Sequence, residues 1–208
     1  MGVKASGKIT RQATYVVVIV HEKNSENTNN VQQIITISMP ASPPNLGKKN
    51  PYLEGGDVLL NGRHIYVGYS GRASNDAGIE WLKGYLGPDY QVNKIKLKPN
   101  VLHLDCAIAL IRPGLGLMCP EWIDGELPES LKDWEFITVT PEQADKLACN
   151  ILVLEPNKVI ADKQHHDIAE KLREKGVEVI EIPYDKVAFW GGAFRCSHHP
   201  LRRESKLR

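Results

Sequence analysis

Apolar positions along the chain alternate with polar ones over short runs, and stretches of helical spacing separate these runs at regular intervals. Val58 to Leu60 and His64 to Val67 read as strands joined by Asn61-Gly62, a hairpin signal because both residues tolerate positive φ. Asp76 to Leu86 places Ile79, Leu82 and Leu86 on one face and predicts a helix, after which Val92 to Leu97 alternates as a strand. The plan then recurs. Leu102 to Ile111 and Leu115 to Cys119 flank a Pro113-Gly114 turn, a short helix is expected around Pro128 to Trp134, and Phe136 to Val139 is strand-like. Thr140 and Gln143 bracket a capping box with Pro141 at the first helical position, which starts a helix running to about Ala148. In a third round, Ile151 to Leu154 and Val159 to Ala161 form a hairpin across Glu155-Pro156-Asn157-Lys158. Asp167 to Lys175 is a helix ended by Gly176, and Val177 to Ile182 is a strand. Strand, turn, strand, helix, strand thus occurs about three times in units of roughly 45 residues, a repeat carried by element order and not by sequence similarity.

Residues 1–50 have a different texture. They hold six Asn (24, 27, 29, 30, 45 and 50), and basic residues outnumber acidic ones six to two. Tyr15 to Val20 and Val31 to Ile37 are β-like, and Met39 to Pro51 reads as linker, so an organisational boundary falls near residue 50.

Composition narrows the function classes. The chain has 208 residues, 42% hydrophobic and 25% charged, with a formal net charge of +1. That excludes a disordered chain, a collagen and a coiled coil, and gives no basic excess for nucleic acid. No apolar run approaches the roughly 18 residues of a membrane span, and no secretory core is evident, so a soluble cytoplasmic protein is expected. Four cysteines, Cys106, Cys119, Cys149 and Cys196, form no C-x-x-C pair, and neither a disulfide scaffold nor a metal centre is expected.

Four clusters could carry chemistry. Leu53-Glu54-Gly55-Gly56-Asp57-Val58 sets two carboxylates around glycines that permit close approach, although a turn with solvated acids has the same pattern. His103-Leu104-Asp105 lies in an apolar run; in a strand, His103 and Asp105 would share one face, and Leu102, Leu104 and Cys106 the other. A structural His–Asp pair fits equally there. Gly191-Gly192-Ala193-Phe194-Arg195-Cys196-Ser197-His198-His199-Pro200 puts a thiol in a glycine-rich, basic stretch, where positive charge favours thiolate, unless Cys196 is simply a free cysteine. Adjacent His198 and His199 are weak evidence for metal. Gly68-Tyr69-Ser70-Gly71-Arg72-Ala73-Ser74-Asn75 can cap the following helix through Ser74 or Asn75. Acid, histidine and cysteine together form the kit of nucleophilic catalysis. Extra carboxylates raise a thiol's pKa, so they suit a substrate that brings its own positive charge, such as a planar guanidinium.

Glu-Gly-Gly-Asp, Gly-x-Ser-x-Arg-x-x-x-x-x-Gly, His-x-Asp and Gly-Gly-x-x-x-Cys-x-x-x-Pro, in that order over about Tyr52 to Glu204, resemble the guanidino-group-modifying superfamily, the penteins. It contains arginine deiminase, dimethylargininase and the glycine and inosamine amidinotransferases. The resemblance implies an α/β propeller of five ββαβ modules. The chain is expected to lack one or two N-terminal modules, with residues 1–50 a divergent segment and linker and 51–208 the pentein-like catalytic region. It further implies Cys196 as nucleophile on the guanidinium carbon, His103 as proton carrier for the leaving amine and Glu54 as the acid partnering that histidine. Asp105 and Asp57 would bind substrate, and Arg72 its carboxylate. Family members carry a further Asp in an N-terminal Arg-Asp motif, whereas residues 1–50 contain no Asp. Asp105 stands where many dimethylargininases have a non-acidic residue, and the arginine of glycine amidinotransferases is not evident near Trp122.

The leading expectation is hydrolysis of an arginine-type guanidine without a cofactor. Transfer of the amidino group to an amine is the second. A truncated, inactive pentein that binds a guanidino metabolite or a partner, with exposed strand edges favouring a homo-oligomer, is the third. A cysteine protease would leave Glu54, Asp57 and Asp105 without a common purpose.

Overall fold

A computed structural model describes residues 51–198, together with the backbone of two earlier strands, β1 (Tyr15–Ile19) and β2 (Ile34–Ser38). These two pair antiparallel with Tyr15 opposite Ser38, where β-like runs were expected. The linker around Met39, the boundary near residue 50 and the basic tail Arg202 to Arg208 lie outside the described residues.

From residue 51 the chain builds three successive ββαβ units. The first holds β3 (Val58–Asn61), β4 (His64–Tyr69), α1 (Asp76–Leu86) and β5 (Gln91–Lys96). The second opens with a helical turn, α2 (Leu104–Ala107), and continues through β6 (Ile108–Arg112), β7 (Leu115–Met118), α3 (Glu129–Lys132) and β8 (Glu135–Thr138). After α4 (Pro141–Asp145) come β9 (Leu152–Glu155), β10 (Lys158–Asp162), α5 (His166–Glu174), β11 (Glu178–Ile182) and a last turn, α6 (Asp185–Ala188). Each three-stranded sheet has its second strand in the middle, antiparallel to the first and parallel to the third. The helix between the second and third strands makes that parallel return possible.

Local sequence explains most boundaries. Thr140 and Gln143 form the reciprocal capping box that starts α4, and Asn75 accepts the Gly78 N–H at 2.8 Å to cap α1. The first hairpin differs from expectation by one residue: Asn61 pairs with His64, so the two-residue loop is Gly62-Arg63. Only Gly62, at φ 59°, takes a positive φ, the pattern of a turn with glycine at its first central position.

The larger correction concerns Leu102 to Ile111. Its first half is not strand: α2 occupies Leu104–Ala107, and β6 begins at Ile108. The alternation expected of His103 and Asp105 therefore does not apply, and Leu104 is fully buried while Leu102 is exposed. Short apolar runs are ambiguous between helix and strand, and here polar contacts from distant residues decide.

Two apolar clusters hold the units. Leu53, Val58, Ile65, Val67, Ile79 and Leu82 pack the first sheet against α1. A larger core runs through the second and third units, from Leu104 and Ile108 to Ile168 and Leu172. Each such side chain is worth about 1.5–3 kcal/mol of burial. Polar seams join neighbouring units. Leu97 bridges Ile123, and Arg112 donates to Asn157 Oδ1 and to the Lys175 carbonyl, each at 2.8 Å.

Candidate active site

The Glu54 segment is a single turn of 3-10 helix, Gly55–Asp57, leading into β3. The Tyr52 N–H donates to Asn75 Oδ1 at 3.0 Å, and Ser74 Oγ accepts the Glu54 N–H at 3.1 Å, so the start of α1 clamps the turn. Ser74, expected at most as a helix cap, is fully buried and donates to Asp57 Oδ2 at 2.7 Å. Asp57 Oδ1 accepts the N–H of Leu104 at 3.0 Å, satisfying one of the free donors at the start of α2. Gly68 on β4 makes room: a Cβ there would run into the Asp57 carboxylate and sit 2.8 Å from the Leu104 Cβ. Burial pushes the Asp57 carboxyl up to about 7, against the pull of Ser74, the His103 charge and the Leu104 N–H.

Asp57 thus sets the position of His103, the residue just before α2. His103 Nε2 lies 2.6 Å from Glu54 Oε2, with the two side chains 18% and 13% exposed. The ring rests on Gly56, where a Cβ would approach it to 2.7 Å. Burial alone would lower the histidine's pKa. The Glu54 hydrogen bond and the charges of Asp57, Asp105 and Glu54 outweigh it, so His103 sits above its ordinary value.

Asp105 is fully buried, and Arg195 Nη1 reaches its Oδ2 at 2.6 Å. Arg195 Nη2 donates to the Val58 carbonyl at 2.7 Å, and Nη1 lies 3.4 Å from the Gly55 carbonyl. This one guanidinium ties the C-terminal loop to the Glu54 turn. Two thiols bracket the carboxylate: Cys196 Sγ is 3.6 Å from Oδ2, and Cys106 Sγ 3.6 Å from Oδ1. Cys196 is exposed as a residue, yet its sulfur is turned toward Asn150 Nδ2 at 3.2 Å. Loss of water around that sulfur, followed by the Asp105 charge, raises the thiol above its ordinary value, and donation from Asn150 pulls the other way. Cys106 and Cys149 are raised far more, first by burial, which suits inert thiols.

Five of the six residues singled out from the sequence meet here: Glu54, Asp57, His103, Asp105 and Cys196 are linked by the contacts above. Asp57 is enclosed, with both oxygens engaged, and faces no open space. Arg72 stands apart, exposed, donating to the Asn100 carbonyl at 3.1 Å just before the His103 turn. Two residues escaped sequence reasoning, Asn150 and the occupancy of Asp105 by Arg195. Asn150 lies outside every motif, and only the adjacency of Arg195 to Cys196 gave a hint. His198 Nδ1 pairs with the Phe194 carbonyl at 2.7 Å. Among the described residues no group of three or more His, Cys, Asp or Glu is arranged to hold a metal ion, and no helix is long and apolar enough to cross a membrane.

The chain is similar in sequence and fold to known proteins. The family model for eukaryotic N,N dimethylarginine dimethylhydrolase matches residues 9–203. The uncharacterized protein YkgA of Bacillus subtilis is 31% identical, over 73% of this chain and 52% of its own. The mitochondrial glycine amidinotransferase of Xenopus tropicalis is 29% identical, over 76% of this chain and 40% of its own. The solved structure of SxtG, an amidinotransferase from Microseira wollei in the saxitoxin biosynthetic pathway, superposes with a TM-score of 0.68 at 26% identity, covering 76% of this chain and 50% of that one. The three open ββαβ sheets are accordingly of the pentein type, and the chain spans about half the length of the curated relatives it matches.

Proposed function

The chain belongs to the eukaryotic N,N dimethylarginine dimethylhydrolase family, within the guanidino-group-modifying superfamily, and on that premise we propose that it hydrolyses an arginine-type guanidine through a covalent amidino-cysteine intermediate. One observation carries this reading: a thiol and a carboxylate that already holds a guanidinium stand 3.6 Å apart, beside a histidine paired with an acid.

A substrate guanidinium takes the place of Arg195 on Asp105 and sets its own positive carbon directly against the Cys196 sulfur. That charge offsets the two influences holding the thiol up, and the thiol proton leaves to solvent. The thiolate bonds to the guanidinium carbon, the departing amine takes a proton from His103, and the C–N bond breaks. Water then adds to the amidino carbon and gives a proton to the now neutral His103. The C–S bond breaks as the added hydroxyl gives up its remaining proton to solvent, releasing a neutral ureido product and the thiolate. Glu54 steadies the imidazolium, and Asp57 acts by holding the His103 turn. The family resemblance assigns the substrate's carboxylate to Arg72, which stands exposed on the Asn100 carbonyl just before the His103 turn. Transfer to an amine uses the same first half; the names of the Xenopus and Microseira relatives favour it as the second reading.

The test is intact-mass spectrometry after acid-quenching the protein with excess arginine or dimethylarginine. An amidino adduct on Cys196 is expected, with citrulline released in water. Ornithine release that depends on an added amine would instead establish transfer. Absence of an adduct, with arginine still raising the melting temperature, would make the chain a binding module. Cys196→Ser is expected to abolish turnover and keep the fold; full activity would remove Cys196 as nucleophile.

A further inference from the structure

Asn150 is buried at 1% exposure, between α4 and β9, and its side chain touches both Asp105 and Cys196. We propose that Asn150 is the positioning residue that fixes the Cys196 loop onto the His103–Asp105 turn and donates a hydrogen bond to the reacting sulfur. This rests on the reading of Cys196 as nucleophile.

All four hydrogen-bonding positions of the carboxamide are used. Its Oδ1 accepts the N–H of Ala193 at 3.2 Å and the N–H of Cys196 at 3.1 Å. Its Nδ2 donates to the Asp105 carbonyl at 3.4 Å and to Cys196 Sγ at 3.2 Å. Two backbone N–H donors face one atom of the amide, which fixes that atom as oxygen and leaves the nitrogen to the sulfur. The Asn150 carbonyl also accepts the Arg195 N–H at 3.3 Å. One side chain therefore holds both ends of the loop from Ala193 to Cys196 and the backbone of the turn carrying His103.

The backbone that presents Asn150 is itself unusual. Its N–H closes a turn on the Leu147 carbonyl at 2.9 Å, and Leu147 has φ 64°, the one positive φ of a non-glycine residue among the described residues. A bulky residue there costs about 1–2 kcal/mol, which the surrounding contacts must hold in place. Next to it, Cys149 Sγ donates to the Ala107 carbonyl at 3.4 Å, seating the turn against the far end of α2.

A merely structural Asn150 would change stability and leave the chemistry of the thiol alone. A donor to sulfur changes the thiol itself. Asn150→Asp keeps the acceptor for Ala193 and Cys196, removes the N–H donor and adds negative charge. The rate of iodoacetamide alkylation at Cys196, read by peptide mass spectrometry across pH, is expected to shift its midpoint upward by about one to two pH units. A profile unchanged within a few tenths, in a folded variant, overturns the proposal. Asn150→Ser, which withdraws the amide donor without adding charge, is expected to shift the midpoint in the same direction, and a shift confined to Asn150→Asp belongs to the added charge and overturns the proposal. Amide exchange of the wild-type chain needs no variant: the Ala193 and Cys196 N–H groups are expected to be protected, and rapid exchange at both refutes the anchor. These readouts do not depend on turnover. If the wild-type chain forms no amidino adduct yet the Asn150 variants show the shift, the hydrolase reading falls and the thiol donor stands; an adduct without the shift does the reverse.

Discussion

Replacing Glu54 by Gln keeps the size of the side chain and removes its charge. The wild-type contact to His103 is 2.6 Å long, between side chains 18% and 13% exposed, so solvent screens it only in part. A hydrogen bond to a charged group contributes about 1.5–3 kcal/mol. At 1.36 kcal/mol per pH unit, its loss lowers the His103 midpoint by about one to two pH units. Burial, which already presses the histidine downward, then acts with less opposition, while the Asp57 and Asp105 charges remain. His103 binds its proton more tightly folded than unfolded. The pair's contribution to stability is therefore complete below the unfolded value near 6.5 and fades as pH rises through the folded midpoint. Wild type and Glu54→Gln should differ most in urea unfolding near pH 5.5 and converge above the folded midpoint. The direct assay is NMR titration of the His103 ring, assigned by its disappearance in His103→Ala. An unchanged midpoint in Glu54→Gln would show that the short contact does not hold the proton, and the role given to Glu54 would fall.

Gly56→Ala should lower kcat at least tenfold with little loss of stability, because its Cβ would press on the His103 ring from 2.7 Å; steady-state kinetics and a melting curve test the split. Asp57 binds a proton when folded at a pH where the unfolded chain has lost it, so it costs stability as pH rises from about 4 to 7, by about 4 kcal/mol if fully expressed. Asp57→Asn should remove that slope, and parallel urea-midpoint profiles for the two proteins would refute it. Arg195→Ala frees Asp105 of its internal guanidinium, and the calorimetric Kd for arginine should tighten at least tenfold, the low end of one charged hydrogen bond at about 1.5 kcal/mol. Weaker binding would show that Arg195 helps to hold substrate.

The fold was legible because its units are local. Each sheet pairs consecutive strands, and Asp76 to Leu86, the Thr140 capping box and the Gly176 stop state their helices within a few residues. The Glu54 turn and Cys196 were visible as motifs, since glycines clustered beside reactive groups are informative at short range. The contacts that shape the site were not visible. Asp57 meets Leu104 across 47 residues, Asn150 meets Cys196 across 46, and Arg195 meets Asp105 across 90. Those long-range polar contacts turn the first half of an apolar run into α2, which periodicity alone reads as strand.

The charges of the site close on themselves. Glu54 is matched by His103, Asp57 is partly protonated at neutral pH, and Asp105 is matched by Arg195. A cationic substrate therefore does not fall into an open anionic hole. On the proposed reading it exchanges with Arg195, and charge is conserved in the exchange. The contacts Arg195 gives up, Asp105 Oδ2, the Val58 carbonyl and the Gly55 carbonyl, are acceptors spread around a planar fork of N–H donors. A compact ammonium presents its three donors from one point and cannot span that set. Exchange with Arg195 thus selects for guanidinium shape as well as charge: arginine can replace what it displaces, whereas lysine would leave backbone carbonyls unpaired at a cost of about 1–3 kcal/mol each.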